Sequence, residues 1–171
     1  MFTLIRLIQS LFGALHSEGT PGQLATGIVL GSFLGLTPLF NLHNALLFAA
    51  LVLLNVSFAG GMLGWALFVP IGFLLDPLFD WIGHQLLFAE PLRSLWTTLY
   101  NTPVVPLTNF NNTVVLGSLV FALVFALPMF FATRWAVARY RVTVGERVRQ
   151  SRWYRTIMAS KVYNVYKLFK P

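Results

Sequence analysis

The sequence predicts an all-α integral membrane protein: a bundle of transmembrane and broken or re-entrant helices, with an amphipathic helix at each end. Three observations predict it. Of the 171 residues, 57% are hydrophobic and only 10% are charged, where a soluble domain carries roughly a quarter charged residues. Thr113 to Thr133 runs for twenty-one residues without a charge before Arg134-Trp135, long enough for a hydrocarbon core of ~30 Å. Ten of the twelve Lys and Arg lie between Arg134 and Lys170 with Glu146 as the only acid there, so this tail carries +9 and residues 1–133 carry −2. Positive charge placed directly after a span reads as a cytoplasmic tail, not as a nucleic-acid surface.

The chain divides into five parts: an amphipathic interfacial helix in 1–20, a glycine-rich membrane domain in 21–88, a loop in 89–112, a transmembrane helix in 113–133 and a basic amphipathic tail in 134–171. Cysteine is absent, which excludes disulfides, thiolate metal ligands and a cysteine nucleophile. In residues 2–17, Arg6, Gln9, Ser10, Gly13 and His16 share one arc of a helix, and Leu4, Leu7, Ile8, Leu11 and Leu15 fill the other. Such a helix suits either the membrane interface or a seat on the bundle. No small-x-small cleavage site follows it, so it does not read as a cleaved signal.

Thr20 as N-cap, Pro21 at the first helical position and Gln23 completing a capping box predict a helix from there to about Leu36. Gly27, Gly31 and Gly35 recur every fourth residue, and Gly60 and Gly64 repeat the spacing. Ridges without side chains let helix backbones approach where lipid supplies no hydrophobic force. Pro38 ends this helix after ~24 Å, short of a full crossing, and pushes Thr37 out of the α region. A second apolar run, Ala45 to Leu54, closes at Asn55. Residues 57–75 form another apolar segment with a break expected at Pro70, and Asp76-Pro77 reads as a cap and N1 pair starting a helix to about Phe88. Residues 21–88 thus hold two interrupted stretches. Each is either one kinked span or a pair of half-length helices in a re-entrant hairpin, an arrangement known from small transporters whose breaks meet at a site.

Prolines and asparagines in 89–112 predict an extracytoplasmic loop with a short helix around Leu92 to Leu99, and Pro128 is expected to bend the final span. Beyond Gly145, Tyr154, Ile157, Met158, Val162 and Val165 oppose Arg149, Arg152, Lys167 and Lys170. A basic helix of this kind lies on an anionic leaflet, at about 1 kcal/mol per cation, or docks on an acidic partner.

Two groups of residues are candidates for chemistry. Thr37, Pro38, Asn41, His43 and Asn44 cluster at the first break, with Asn55 at the close of the following run, a helix C-cap or an interhelical hydrogen-bond donor. They either satisfy the opened backbone or line a polar pocket whose half-helix N-termini favour an anionic group. Asp76, Asp80 and His84 are spaced to stack on one helix face. At an interface they serve as cap, solvated acid and local ion pair, and at depth as a proton- or ion-coupling stripe. No recognised metal-ligand spacing, nucleophile elbow or phosphate loop is present. No cofactor and no enzymatic activity is expected.

The stretch from Gln23 to Pro77 resembles a bacterial membrane family of unknown function, number two thousand and sixty-two. The resemblance rests on the glycine-rich helix, Thr37-Pro38 with its polar turn, the run ending in Leu54-Asn55, Val69-Pro70, and the last span with its basic tail. The chain departs from the family pattern with Asn41 where glycine is usual and Val69 where asparagine is usual, as in a divergent subgroup. The resemblance implies a bacterial inner membrane and, through relatives joined to glycosyltransferases, envelope lipid or glycan biology. The function expected is a small inner-membrane subunit of an envelope complex that assists lipid transport or handling. Its partners are then membrane lipid and a larger envelope protein or further copies of itself. The alternative is an autonomous homo-oligomeric transporter or flippase with Asp80 and His84 as coupling groups.

Overall fold

The computed structural model describes residues 19–143. The helix expected in 2–17 and the basic face of Arg149, Arg152, Lys167 and Lys170 lie outside the described residues. Every regular element among the described residues is helical: α1 (Pro21–Leu36), α2 (Leu42–Leu53), α3 (Phe58–Leu87), α4 (Arg93–Tyr100) and α5 (Thr113–Thr143), with short 3-10 turns at Glu90–Leu92 and Val105–Thr108. α3 and α5 are long and apolar enough to cross a membrane.

α1 begins where the sequence places it. The Thr20 hydroxyl accepts from the Gln23 backbone N–H at 3.1 Å, and the Gln23 carboxamide oxygen accepts from the Thr20 N–H at 2.8 Å, so two orphan donors of the first turn are satisfied reciprocally. It ends at Thr37, whose extended backbone (φ −97°, ψ 147°) precedes Pro38, the conformation that a following proline imposes. α2 then runs back beside α1. At the far end of this hairpin the Gln23 side-chain N–H donates to the Asn55 carboxamide oxygen at 2.9 Å, and the Ser57 N–H donates to the Gln23 carbonyl at 3.1 Å. Gln23 thus ties the start of α1 to the start of α3, where the Ser57 hydroxyl caps the Gly60 N–H at 3.0 Å.

α3 runs parallel to α1 at backbone-to-backbone distance. A Cβ on Gly27 would overlap the Ser57 carbonyl oxygen, one on Gly31 that of Gly61, and one on Gly64 that of Ile28. The same intimacy joins α3 to α5 in antiparallel sense, where Gly83 lies on Thr113 and Gly117 on the Phe79 carbonyl. α5 therefore passes back along α1 as well. Leu24 buries itself with Leu63 and Val137, and Val29, Phe33 and Leu36 do so with Phe79 and Ala122. The Arg141 guanidinium closes the bundle by donating to the Gly19 carbonyl at 2.7 Å.

Two expectations are corrected. Neither Pro70 nor Asp76-Pro77 interrupts α3, which is one helix of thirty residues with both prolines inside it. An interior proline costs a helix about 3 kcal/mol. Here it is outweighed because both prolines are exposed on the outer face, while Gly64 and Gly72 on one side of the helix and Gly83 further along are locked to neighbouring backbone. Asp76 is accordingly a mid-helix residue and no cap; of the two forms the sequence left open, the second stretch takes that of a single helix, and only the first is broken. Likewise Arg134-Trp135 does not end α5, which continues to Thr143. Arginine is a good helix former, so a charge that stops an apolar run need not stop a helix.

Candidate functional site at the hairpin turn

Opening the backbone between α1 and α2 leaves carbonyls without helical partners, and the local side chains answer them. The Thr37 hydroxyl lies 2.7 Å from the Phe33 carbonyl and 2.8 Å from the Asn44 carboxamide oxygen, within reach of donating to either. The Asn44 amide donates to the Pro38 carbonyl at 2.7 Å, and the Asn41 amide to the same oxygen at 2.5 Å. Thr37, Asn41 and Asn44 are buried, whereas Pro38 is exposed. Their polar atoms are therefore committed to the turn itself, as buried polar groups must be.

A residue not singled out in the sequence completes this network. Asn109, in the loop before α5, donates from its amide to the Asn41 carboxamide oxygen at 2.6 Å and lies 3.3 Å from the Phe40 carbonyl. Its own backbone is left-handed at φ 55°, a conformation asparagine tolerates better than most residues. Its sequence signal was only that of a turn former among many. Asn55 does not join the cluster: it belongs to the opposite end of the hairpin, where it holds Gln23.

His43 sits in the first turn of α2, with both ring nitrogens shut off from solvent and unbonded among the described residues and the Thr108 backbone beside it. Unpaired buried polar atoms cost about 1–3 kcal/mol. His43→Phe is therefore expected to leave the protein equally stable or up to about 2 kcal/mol more stable, read as the midpoint of thermal unfolding in detergent. A large drop would show that the imidazole has a partner.

The second candidate group, Asp76, Asp80 and His84, lies on the single helix α3 at the four-residue spacing that shares one face. Asp80 accepts a hydrogen bond from the Thr113 hydroxyl, at the N-terminus of α5, where a carboxylate is electrostatically favoured. The His84 ring lies tilted against Phe88 with centroids 4.4 Å apart. Among the described residues no three His, Asp or Glu side chains come together as a metal site.

Beside the turn, α2 and α3 diverge into an apolar groove of about 570 Å³, with Phe48 on one wall, Met62 and Trp65 on the other, and Leu34 and the hairpin turn at one end. Toward the other end Leu51 packs on Gly61 and Phe48 meets Phe58 edge-on at 6.3 Å. A more open depression of about 850 Å³ lies over the polar face of α4. There the hydroxyls of Thr97, Thr98 and Thr102 donate to their own helix at 2.8–2.9 Å, so it offers few free donors.

A bacterial family described as "Uncharacterized protein conserved in bacteria (DUF2062)" matches residues 6–144. The chain belongs to this family. Family membership thus covers all five described helices and every residue of the turn network. A relative described as "Uncharacterized protein" from Treponema pallidum (strain Nichols) is 30% identical over 148 residues, covering 86% of this chain and 91% of its own length. No solved structure matches the chain.

Proposed function

We propose that the protein is a multi-pass bacterial inner-membrane protein, with its C-terminus cytoplasmic, that serves as a small subunit of an envelope complex handling lipid. In this reading α3 and α5 cross the bilayer and α1–α2 is a re-entrant hairpin. The observation that carries it is where α1 stops. The Gly35 carbonyl meets Gly72, near the middle of α3, while the start of α5 meets Gly83, about 16 Å further along the helix. The charge-free part of α5, Thr113 to Thr133, measures about 30 Å. α1 therefore ends about half-way across the slab this stretch defines. From that depth the turn rises to the level of the loop before α5, where Asn109 meets Asn41, and inside the slab its opened backbone must be covered by protein, which is what Thr37 and Asn44 do. Phe40, 91% exposed, and Leu39, Leu46 and Phe48 beside it form a face that acyl chains solvate and water does not.

A hairpin that enters from one side and stops midway displaces lipid in one leaflet only, and it presents the groove between α2 and α3 to that leaflet. This asymmetry suits a subunit that receives or orders lipid for a partner. The coupling alternative has less to stand on, because Asp80 is engaged by Thr113 and His84 by Phe88.

The absence of cysteine makes the topology test direct. In intact cells, Ser94→Cys on α4 should react with a membrane-impermeant maleimide from outside, while Phe40→Cys should react only after detergent is added. Phe40→Cys labelling freely from water would overturn the hairpin reading. Purification in mild detergent followed by native mass spectrometry should show lipid or a larger partner bound. A clean, lipid-free monomer would overturn the subunit reading.

A further inference from the structure

We infer that His43 is an acid-sensitive catch: neutral, it seals the first turn of α2 against the loop before α5, and protonated, it releases that turn.

The seat of the ring suits the neutral form. Both ring nitrogens are shut off from solvent and make no hydrogen bond among the described residues, and the polar group beside them is the Thr108 backbone. A neutral imidazole carries one N–H and a protonated one carries two. A single backbone acceptor therefore leaves at least one donor of the charged ring buried without return. The ring also stands in the first turn of α2, where the helix dipole disfavours a cation.

No neighbouring charge offsets this. α1 and residues 94–133 hold no titratable side chain except Tyr100. Ala45 and Phe48 line the side of α2 turned toward α3, whereas Leu47, one turn on from His43, packs on the cluster around Phe33 and Leu36. The charged groups of α3 are Asp76, Asp80 and His84. None of them bonds to His43, and Asp80 is taken by Thr113. Glu90 and Arg93 border the depression over α4.

The start of α2 is tied to the loop by this ring against Thr108 and by the Asn109 amide on Asn41. The loop is anchored independently, through buried Phe110 stacked on Trp96 at 5.9 Å and through the Trp96 indole on the Leu86 carbonyl at 2.9 Å. So it is α2 that moves: its first turn swings out, carries His43 to solvent and leaves the loop in place. The closed form holds the neutral ring and the open form takes up the proton. Closure is therefore favoured above the ordinary imidazole value of 6.5 and is lost as the pH falls through it, by up to about tenfold in the opening equilibrium per pH unit. Opening uncovers Asn41 and Asn44, which are buried in the closed form, so the polar turn is offered to solvent only in acid.

Amide hydrogen exchange of the full chain in detergent, read by mass spectrometry at about pH 7.5 and about pH 5, tests this. His43→Phe is measured beside it at each pH, so that the intrinsic pH dependence of exchange cancels. The ratio of native to variant exchange is followed in residues 42–48, where the Ala45 N–H is held by the Asn41 carbonyl at 3.2 Å. It should rise by about fivefold or more between the two pH values, toward a ceiling of about thirtyfold. The same ratio in the loop around Phe110 and in α5 should stay constant. His43→Gln stays polar but takes up no proton in this range, so it should match His43→Phe, and it stands in if that variant does not fold. A smaller change in 42–48 would overturn the catch. An equal rise in α5 would overturn it too, since acid would then be unfolding the whole bundle. In detergent the result does not depend on the hairpin reading, so its failure leaves that reading standing.

Discussion

Gly31→Ala is expected to cost about 4 kcal/mol or more, enough to prevent the protein from accumulating in the membrane. A Cβ there would overlap the Gly61 carbonyl oxygen, with the Gly61 carbonyl carbon and the Trp65 amide nitrogen both at 2.8 Å. All three are backbone atoms of α3, so no rotamer change relieves the clash and the helices must part. Separation at this point also lifts Gly27 from Ser57 and Gly64 from Ile28, and the loss spreads along the interface because dispersion contacts decay steeply with distance. Overpacking a core usually costs about 1–3 kcal/mol; here the whole α1–α3 contact is at stake. Gly22→Ala is the control. Its Cβ would meet only the Thr20 hydroxyl at 3.7 Å, so the gain in helix propensity should leave stability equal or raised by about 0.5–1 kcal/mol. Comparable melting of the two variants in detergent would refute the close-packed interface.

Asn44→Leu is the second large effect, expected to cost about 2–4 kcal/mol. It removes a donor to the Pro38 carbonyl and the oxygen beside the Thr37 hydroxyl, in a turn argued to lie where no water can substitute. The loss should couple to Thr37. In a double-mutant cycle, Thr37→Val with Asn44→Leu should cost at least about 1 kcal/mol less than the sum of the single changes, because the two side chains share one hydrogen bond that either single change already removes. Strict additivity would mean that water reaches the turn and that the asparagines are not covering opened backbone.

Much of the fold was legible because its signals are local. The capping box at Thr20 and Gln23, the stop at Thr37-Pro38, the short helix following Leu92 and the charge-free run from Thr113 each depend on a few neighbouring residues. The turn network was half legible: Thr37, Asn41 and Asn44 lie within eight positions, where opened carbonyls call for nearby donors. Asn109 could not be read, since its partner Asn41 is 68 positions away and nothing in its own surroundings separates it from the other loop asparagines. Asn55 was legible as an interhelical hydrogen-bonding group at the close of its run, but not that it would accept from Gln23, 32 positions away. Proximity in sequence to the turn says nothing about an antiparallel return of twelve residues.

Composition and short-range pattern alone determined that the described residues are helical, that α5 is long and apolar enough to cross a membrane, and that α1 is shorter than a crossing needs. Only the tertiary structure decided that α3 is unbroken. Proline carries a fixed local penalty, and whether a helix bears it depends on what the remaining turns gain by packing. Gly64, Gly72 and Gly83 gain backbone contact on either side of Pro70 and Pro77. The same holds for position along the bundle: residue spacing sets how long α1 is, but its end lies beside the middle of α3 only because Gly35 meets Gly72, and a contact between distant residues is not written in either segment by itself.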